Sequence, residues 1–428
     1  MKPVKVGLMG MGTVGTGVIR LVEGYQEDLQ KQVGSPILIE RVLVQDRSKA
    51  RRYNIESEKL TDNAWDIIND PEIDVVVEVM GGIETTKEFI LAALERGKHV
   101  VTANKDLMAL HGTEILAKAA QKSCDVYYEA SVGGGIPIIR TLIEGFSSDR
   151  ITKIMGIVNG TTNYILTKMS QEGASYEEVL KEAQQLGYAE ADPTSDVEGL
   201  DAARKMAILG TLGFRANMEL ADVQVKGISR VSKEDILYGQ RLGYEIKLLG
   251  IAERQDDLIS ISVQPTMIKK THPLATVNGV FNAVYVHGEA VGETMFYGRG
   301  AGEMPTATSV VADLVAVVKN LKLGVNGQRV FVPYKEKKLK TDEQIASKYY
   351  ILLHVADKAG VLAKITQVFA EHEVSLESVV QQPNATHADA EIIIITHDAN
   401  KASMGKVLAS FESLDVIYEI KSVYRVEG

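Results

Sequence analysis

The sequence predicts an α/β chain of several domains. A doubly wound parallel sheet comes first, an α+β part follows, and a small β-α-β-β-α-β unit ends the chain. Three observations predict this. Short β-branched runs alternate with helical patterns over residues 1–128, a tempo that builds βαβ units. From about residue 129 the character changes to longer helical patterns with later strands. The chain has 428 residues, too many for one hydrophobic core, which stops growing at roughly 250 to 300.

The elements justify the prediction in order. Residues 4–9 (Val-Lys-Val-Gly-Leu-Met) read as a strand, followed by a glycine-rich turn, a helix over 14–31 and a strand over 37–45. Residues 73–79 (Ile-Asp-Val-Val-Val-Glu-Val) suit a strand buried on both faces. A helix over 85–96, a strand over 98–102 and a helix over 113–122 complete the first part. Helices are expected at 138–145, 162–172, 176–186 and 198–214, and strands at 246–253, 258–264 and 283–289. A helix over 306–320 is expected to pack back on the first domain. Residues 333–347 are polar and lysine-rich and read as a linker. Beyond it, strands at 348–355, 374–381, 390–397 and 415–425 and helices at 361–371 and 400–412 give the final unit. The expected domains are 1–128 for a dinucleotide, 129–332 for a substrate and 348–428 for regulation. On this reading a chain ending near residue 340 still folds and works.

Bulk properties exclude several classes. The net charge of -10 and the lack of a basic stripe argue against a nucleic-acid partner. No apolar run approaches the roughly 20 residues that span a bilayer, and the N-terminus carries no secretory pattern. A single cysteine, Cys124, excludes an intrachain disulfide framework and a cysteine-rich zinc site. A protein of a reducing compartment, the cytoplasm, is expected.

Gly10-Met-Gly12-Thr-Val-Gly15 fits G-x-G-x-x-G, placed after a strand and opening a helix. Gly10 permits a tight turn, Gly12 lets a pyrophosphate approach, and Gly15 lets helix and strand pack. The helix start offers amide donors to phosphates. The second strand ends at Gln45-Asp46-Arg47, followed by Lys49, Arg51 and Arg52. An acid there suits the ribose of NAD, and an arginine suits the 2′-phosphate of NADP. Arg47 tips the reading toward NADP, while Lys49, Arg51 and Arg52 fit a solvated turn.

Residues 186–207 carry the acids Glu190, Asp192, Asp196, Glu198 and Asp201 and then Lys205. Asp201 and Lys205 are spaced i, i+4 and share one helix face. A lysine beside carboxylates can move a proton at an alcohol or carbonyl oxygen, and the carboxylates can hold an ammonium. The same spacing also suits an acidic loop with a surface ion pair.

The stretch 186–208 resembles the signature of homoserine dehydrogenases. So do 101–106 (Val-Thr-Ala-Asn-Lys-Asp), 129–137 (Glu-Ala-Ser-Val-Gly-Gly-Gly-Ile-Pro), 156–163 (Gly-Ile-Val-Asn-Gly-Thr-Thr-Asn) and 298–302 (Gly-Arg-Gly-Ala-Gly). The resemblance implies a Rossmann domain and reversible hydride transfer between NAD(P)(H) and L-homoserine or L-aspartate 4-semialdehyde, a step of threonine, methionine and isoleucine biosynthesis. It implies that Lys205 acts on the substrate oxygen and that Lys105 lies near nicotinamide and substrate. Glu190 and Asp201 hold substrate polar groups, Asp196 orients them, and Gly187 and Gly302 line the cofactor and substrate cleft. The implied cofactor contacts are Gly10, Gly12, Thr13, Val14, Gly15, Arg47, Gly81, Lys105, Gly187 and Gly302. One carboxylate and successive carbonyls of Glu129, Val132, Gly134 and Ile136 are implied to hold a monovalent cation, usually sodium. Arg299 departs from the proline common at its place, which touches only loop rigidity.

Residues 348–428 resemble an ACT domain, with Asp357-Lys-Ala-Gly360-Val-Leu as the turn before the first helix. That implies amino-acid feedback, with threonine as the expected effector, and paired copies in a homodimer or homotetramer. Two other readings stay open: another amino-acid or semialdehyde dehydrogenase on the same frame, and a non-catalytic dinucleotide sensor. The sensor needs neither Lys105 nor Lys205. A phosphorylating aldehyde dehydrogenase needs a nucleophilic cysteine, and nothing around Cys124 activates it.

Overall fold

The structure, a computed structural model, describes residues 2–51, 53–328, 331–383 and 389–428. Arg52 of the basic cluster lies outside the described residues. Among those described, no helix is long and apolar enough to cross a membrane.

The first six strands are β1 (Val4–Met9), β2 (Ile37–Leu43), β3 (Leu60–Thr61), β4 (Val75–Glu78), β5 (His99–Thr102) and β6 (Val126–Tyr127). They form one parallel sheet in the order β3-β2-β1-β4-β5-β6. The order reverses beside β1, the switch point at which such sheets take their ligands. β4 and β5 are buried along their whole length, as an apolar run covered on both faces requires. The expected helix over 14–31 is two, Thr13–Gly24 and Gln26–Val33, broken at Tyr25.

The later strands are β7 (Ile151–Ile157), β8 (Val223–Val225), β9 (Tyr244–Gln255), β10 (Leu258–Lys269), β11 (Phe281–Gly288) and β12 (Gly292–Arg299). Then come β13 (Ala346–Ala356), β14 (Leu376–Pro383), β15 (Asp389–Thr396), β16 (Ala399–Asn400) and β17 (Ile417–Glu427).

The chain divides into two compact units that do not follow the three expected segments. The first comprises Met1–Ile154, Arg204–Ala221 and Asn282–Glu336. Its core joins Val6, Leu8, Val18 and Val77 to Val310, Leu314 and Val317. Helix Glu303–Leu323 therefore packs on the parallel-sheet region. Gly17 allows the approach, since a Cβ there would stand 2.8 Å from Ala307.

The second unit comprises Met155–Ala203, Asp222–Phe281 and Lys337–Gly428. Its strands run β9-β10-β17-β13-β15-β14. The β-α-β-β-α-β set at the C-terminus has its own core around Ile351, Leu353, Phe369, Ile392 and Phe411. It is not tethered loosely, because β17 pairs in parallel with β10, Thr266 opposite Arg425. Tyr424 donates to the buried Asp235 carboxylate at 2.9 Å, and Ser422 donates to it as well. Arg425 pairs with Glu253 at 3.0 Å. The expected linker is also pinned: the Ile259 amide donates to the Lys338 carbonyl and the Lys340 amide to the Ile259 carbonyl, and Lys337 pairs with Asp222 at 2.8 Å. These bonds speak against the expectation that a chain ending near residue 340 folds. The missed helix Lys233–Arg241, whose Ser232 and Asp235 form a capping box, carries much of this seam.

Candidate active site

In the first unit the G-x-G-x-x-G turn is shaped by contacts that exclude any other residue at two of its glycines. Gly10 has φ +106°, and a Cβ there would lie 2.9 Å from the Met80 backbone. A Cβ on Gly15 would lie 2.1 Å from the Gly10 carbonyl. Gly12 differs, because a Cβ there would meet nothing within 4 Å. Protein packing leaves that space open at the start of helix Thr13–Gly24, where backbone N–H groups suit an anion. The cradle fits a dinucleotide.

Glu78, which sequence reasoning missed, organises the opposite side of this turn. Its buried carboxylate accepts from the amides of Met80 (2.8 Å) and Gly81 (3.1 Å) and from the Thr102 hydroxyl (2.5 Å). Burial pushes its pKa up. Gly81 takes φ +76°. Asn104 donates to the Gly82 carbonyl at 2.7 Å and caps helix Lys105–Gln121 by accepting from Leu107. Lys105 thus stands at the first position of a helix whose start is fixed to the glycine loops. That helix begins at Lys105 rather than at 113 because the Asn104 cap sets it.

The other lysine lies close in the same unit by way of its neighbour. Arg204 pairs with Asp106 at 2.9 Å, which ties the residue before Lys205 to the residue after Lys105. Lys205 is 9% exposed on helix Leu200–Phe214. Gly302, at φ +118°, precedes helix Glu303–Leu323.

The basic turn sorts itself. Arg51 donates to the carbonyls of Asp46, Arg47 and Lys49. The Asp46 carboxylate accepts the Ser48 hydroxyl and amide, which hold its pKa down. Arg47 is exposed, with a long bond of 3.4 Å to the Ser57 carbonyl. Its guanidinium is less committed to the loop than that of Arg51.

The turn at 129–136 is also in the first unit. Gly133 and Gly134 have φ +74° and +54°. A Cβ on Gly134 would lie 2.5 Å from the Gly300 backbone. The Glu129 carboxylate, 4% exposed, accepts from the amides of Ile139 (2.7 Å) and Arg140 (2.8 Å). Each carboxylate oxygen takes one of these bonds and keeps a further lone pair. The carbonyls of the turn are partnered in the same partial way. That of Gly134 accepts from Ser309 at 2.6 Å and that of Ile136 from Ile138 at 2.8 Å, and a carbonyl has a second lone pair to give. Among the described residues no three His, Cys, Asp or Glu side chains gather to hold a metal. Behind the turn, Asp313 accepts from the Glu129 amide and from Arg140. Burial and the Glu129 carboxylate push Asp313 up to about 7. These groups border a cavity of about 500 Å³.

The second unit gathers the acids. Gly187 takes φ +74° after helix Tyr176–Gln185. The Asp192 carboxylate accepts from the Thr194 amide and hydroxyl, just ahead of the short helix Thr194–Val197. The carboxylates of Asp196 and Asp201 both accept from Asn159, at 2.7 and 2.9 Å. Thr161 donates to the Tyr188 carbonyl at 2.6 Å, joining helix Gly160–Glu172 to the acid-rich stretch. Glu190 is exposed, and its carboxylate has no protein partner among the described residues. The two arrangements complement each other chemically: an anion cradle with two lysines, and a set of carboxylates suited to an ammonium.

Comparison with known proteins agrees along the whole chain. The family model described as homoserine dehydrogenase matches residues 137–315, and its NAD-binding domain matches 10–129. The ACT domain model matches 349–416. The homoserine dehydrogenase of Bacillus subtilis is 57% identical over 429 aligned positions, covering 100% of this chain and 99% of that protein. The crystal structure of a homoserine dehydrogenase from Thiobacillus denitrificans superposes with a TM-score of 0.93 at 41% identity, covering 100% and 99% of the two chains. A hyperthermophilic archaeal homoserine dehydrogenase in complex with NADPH gives a TM-score of 0.62 at 26% identity, over 75% of this chain and 98% of the other.

Proposed function

The chain belongs to the homoserine dehydrogenase family and is an oxidoreductase with an NAD-binding domain; from that premise we propose the roles of its residues, its preferred cofactor and its control. NADP is the preferred nicotinamide, read by Arg47, with its phosphates over Gly10, Gly12, Thr13, Val14 and Gly15 and further contacts from Gly81, Lys105, Gly187 and Gly302. The archaeal relative with NADPH supports this choice. When bound, the nicotinamide supplies or accepts the hydride.

Lys205 holds or releases the proton at the substrate oxygen, and Lys105 stabilises the charge that develops there. Glu190 and Asp201 bind the polar groups of homoserine, the ammonium among them, and Asp196 orients them. Sodium, as the monovalent cation, sits between the Glu129 carboxylate and the carbonyls of Val132, Gly134 and Ile136 and serves the fold rather than the reaction. Threonine binds at Asp357–Gly360, where Gly360 takes φ +91° before helix Val361–Glu371, and inhibits by preferring one conformation of the enzyme. The enzyme works as a homodimer or homotetramer in the cytoplasm. Along the chain the division of labour is cofactor in 1–128, substrate in 129–332 and effector in 348–428, although the compact units are cut elsewhere.

The observation that supports the catalytic reading best is the Arg204–Asp106 pair, which fixes the helices bearing both lysines in one unit. The test is Lys205→Ala. It should lower kcat by roughly 10² to 10⁴, the usual worth of acid–base catalysis, with NADPH affinity unchanged. A variant within threefold of the wild type removes Lys205 from the reaction.

A further inference from the structure

We propose that Asn159 is a positioning residue, whose side-chain amide holds the Asp196 and Asp201 carboxylates in the arrangement that receives the substrate. The proposal rests on the reading that these acids bind homoserine. An asparagine amide has two N–H donors and one oxygen with two lone pairs, and all four are used here. Nδ2 donates to Asp196 Oδ1 at 2.7 Å and to Asp201 Oδ2 at 2.9 Å. Oδ1 accepts from the Thr162 amide at 2.9 Å and the Thr162 hydroxyl at 3.0 Å.

The orientation of the amide is therefore dictated from both sides. Turning it over would face an oxygen to two carboxylates and an NH₂ to the Thr162 amide. Asn159 is 5% exposed, so water does not readily take over either set of bonds. Bonds to ionised acceptors are the stronger kind. Two carboxylates sharing one nitrogen stand roughly 5 Å apart by ordinary hydrogen-bond geometry, and they repel each other unless a donor lies between them. Asn159 supplies that donor.

The amide also ties three elements together. Asn159 caps helix Gly160–Glu172, Asp196 lies in Thr194–Val197, and Asp201 lies in the first turn of Leu200–Phe214. Without the amide the two carboxylates lose their common anchor, and the substrate must gather them on binding. The loss should therefore appear in the homoserine KM.

Asn159→Asp tests this in the full-length enzyme. Aspartate caps a helix as well as asparagine does, so the start of the helix is kept, while both donors are replaced by a third negative charge. The homoserine KM should rise at least tenfold with the NADPH KM within twofold. The acid limb of kcat/KM should move to higher pH, since a neighbouring carboxylate raises the pKa of the other two. Homoserine kcat/KM within twofold of the wild type and an unmoved pH profile overturn the proposal. A drop in kcat that scales with the folded fraction, both KM values being unchanged, assigns Asn159 to the fold alone and also overturns it. If Asn159→Asp does not fold, Asn159→Ser keeps a capping oxygen without the added charge and is judged by the homoserine and NADPH KM values alone. Asp196→Asn and Asp201→Asn separate the premise from the proposal. If neither alters the homoserine KM, the substrate role of these acids fails and the proposal with it. If they do and the Asn159 variants do not, only the positioning role fails.

Discussion

The cofactor region of the first unit is built from backbone, and the carboxylate region of the second is built from side chains. In the first, Gly10 and Gly15 are excluded from becoming anything else by contacts of 2.9 and 2.1 Å with neighbouring backbone, and Gly12 leaves room for a ligand. In the second, Asp196 and Asp201 are held by one amide from residue 159. The backbone site depends on a turn of six residues; the side-chain site depends on partners forty residues away. The first kind tolerates change around it and none within it, and the second fails through its supports.

The second unit has a more distant support as well, and removing it is the largest way to break the comparison. Ending the chain at residue 340 strips β10 of β17 and leaves the buried Asp235 without the Ser422 and Tyr424 hydroxyls. Each buried polar group left unmade costs about 1–3 kcal/mol, against a total stability of about 5–15 kcal/mol. The shortened chain should aggregate or melt well below the intact one in a circular-dichroism scan. If it is soluble, cooperative and fully active, the second unit does not need its C-terminal strand.

A smaller test sharpens the other half. Arg47→Ala should weaken NADP binding by about 1–3 kcal/mol, the worth of a hydrogen bond to a charged group, and leave NAD nearly unaffected. The check is titration of both cofactors. Equal losses for both would show that the arginine does not read the 2′-phosphate, and the selectivity would then have to come from elsewhere in the first unit.

The same contrast explains what was legible in the sequence. The Gly10–Gly15 turn could be read because only glycine fits two of its positions, so the constraint appears as the residue itself. The helix over 361–371 and the strand over 4–9 could be read because their apolar spacing is local. Glu78 was hidden as one acid in a buried valine run, although an acid there is the signal to look for. Helix Lys233–Arg241 is largely polar and was passed over, and its Ser232-x-x-Asp235 box was the missed sign. The amides of residues 139 and 140 that bond the Glu129 carboxylate were hidden because they belong to the next turn of chain. The β10–β17 pairing could not be read at all. It joins segments about 160 residues apart, and no local pattern encodes a partner at that distance. For that reason the C-terminal unit looked separable.

The central claim is that the first unit holds the cofactor and the carboxylates of the second hold homoserine. Calorimetric titration of Glu190→Gln tests it most directly, because Glu190 is exposed and its loss leaves no buried group unpaired. NADPH should bind this variant within twofold of the wild type, and homoserine, titrated onto the non-reacting NADPH complex, should bind about tenfold more weakly, near 1.4 kcal/mol. Unchanged homoserine affinity, or a parallel loss of both ligands, would contradict the account.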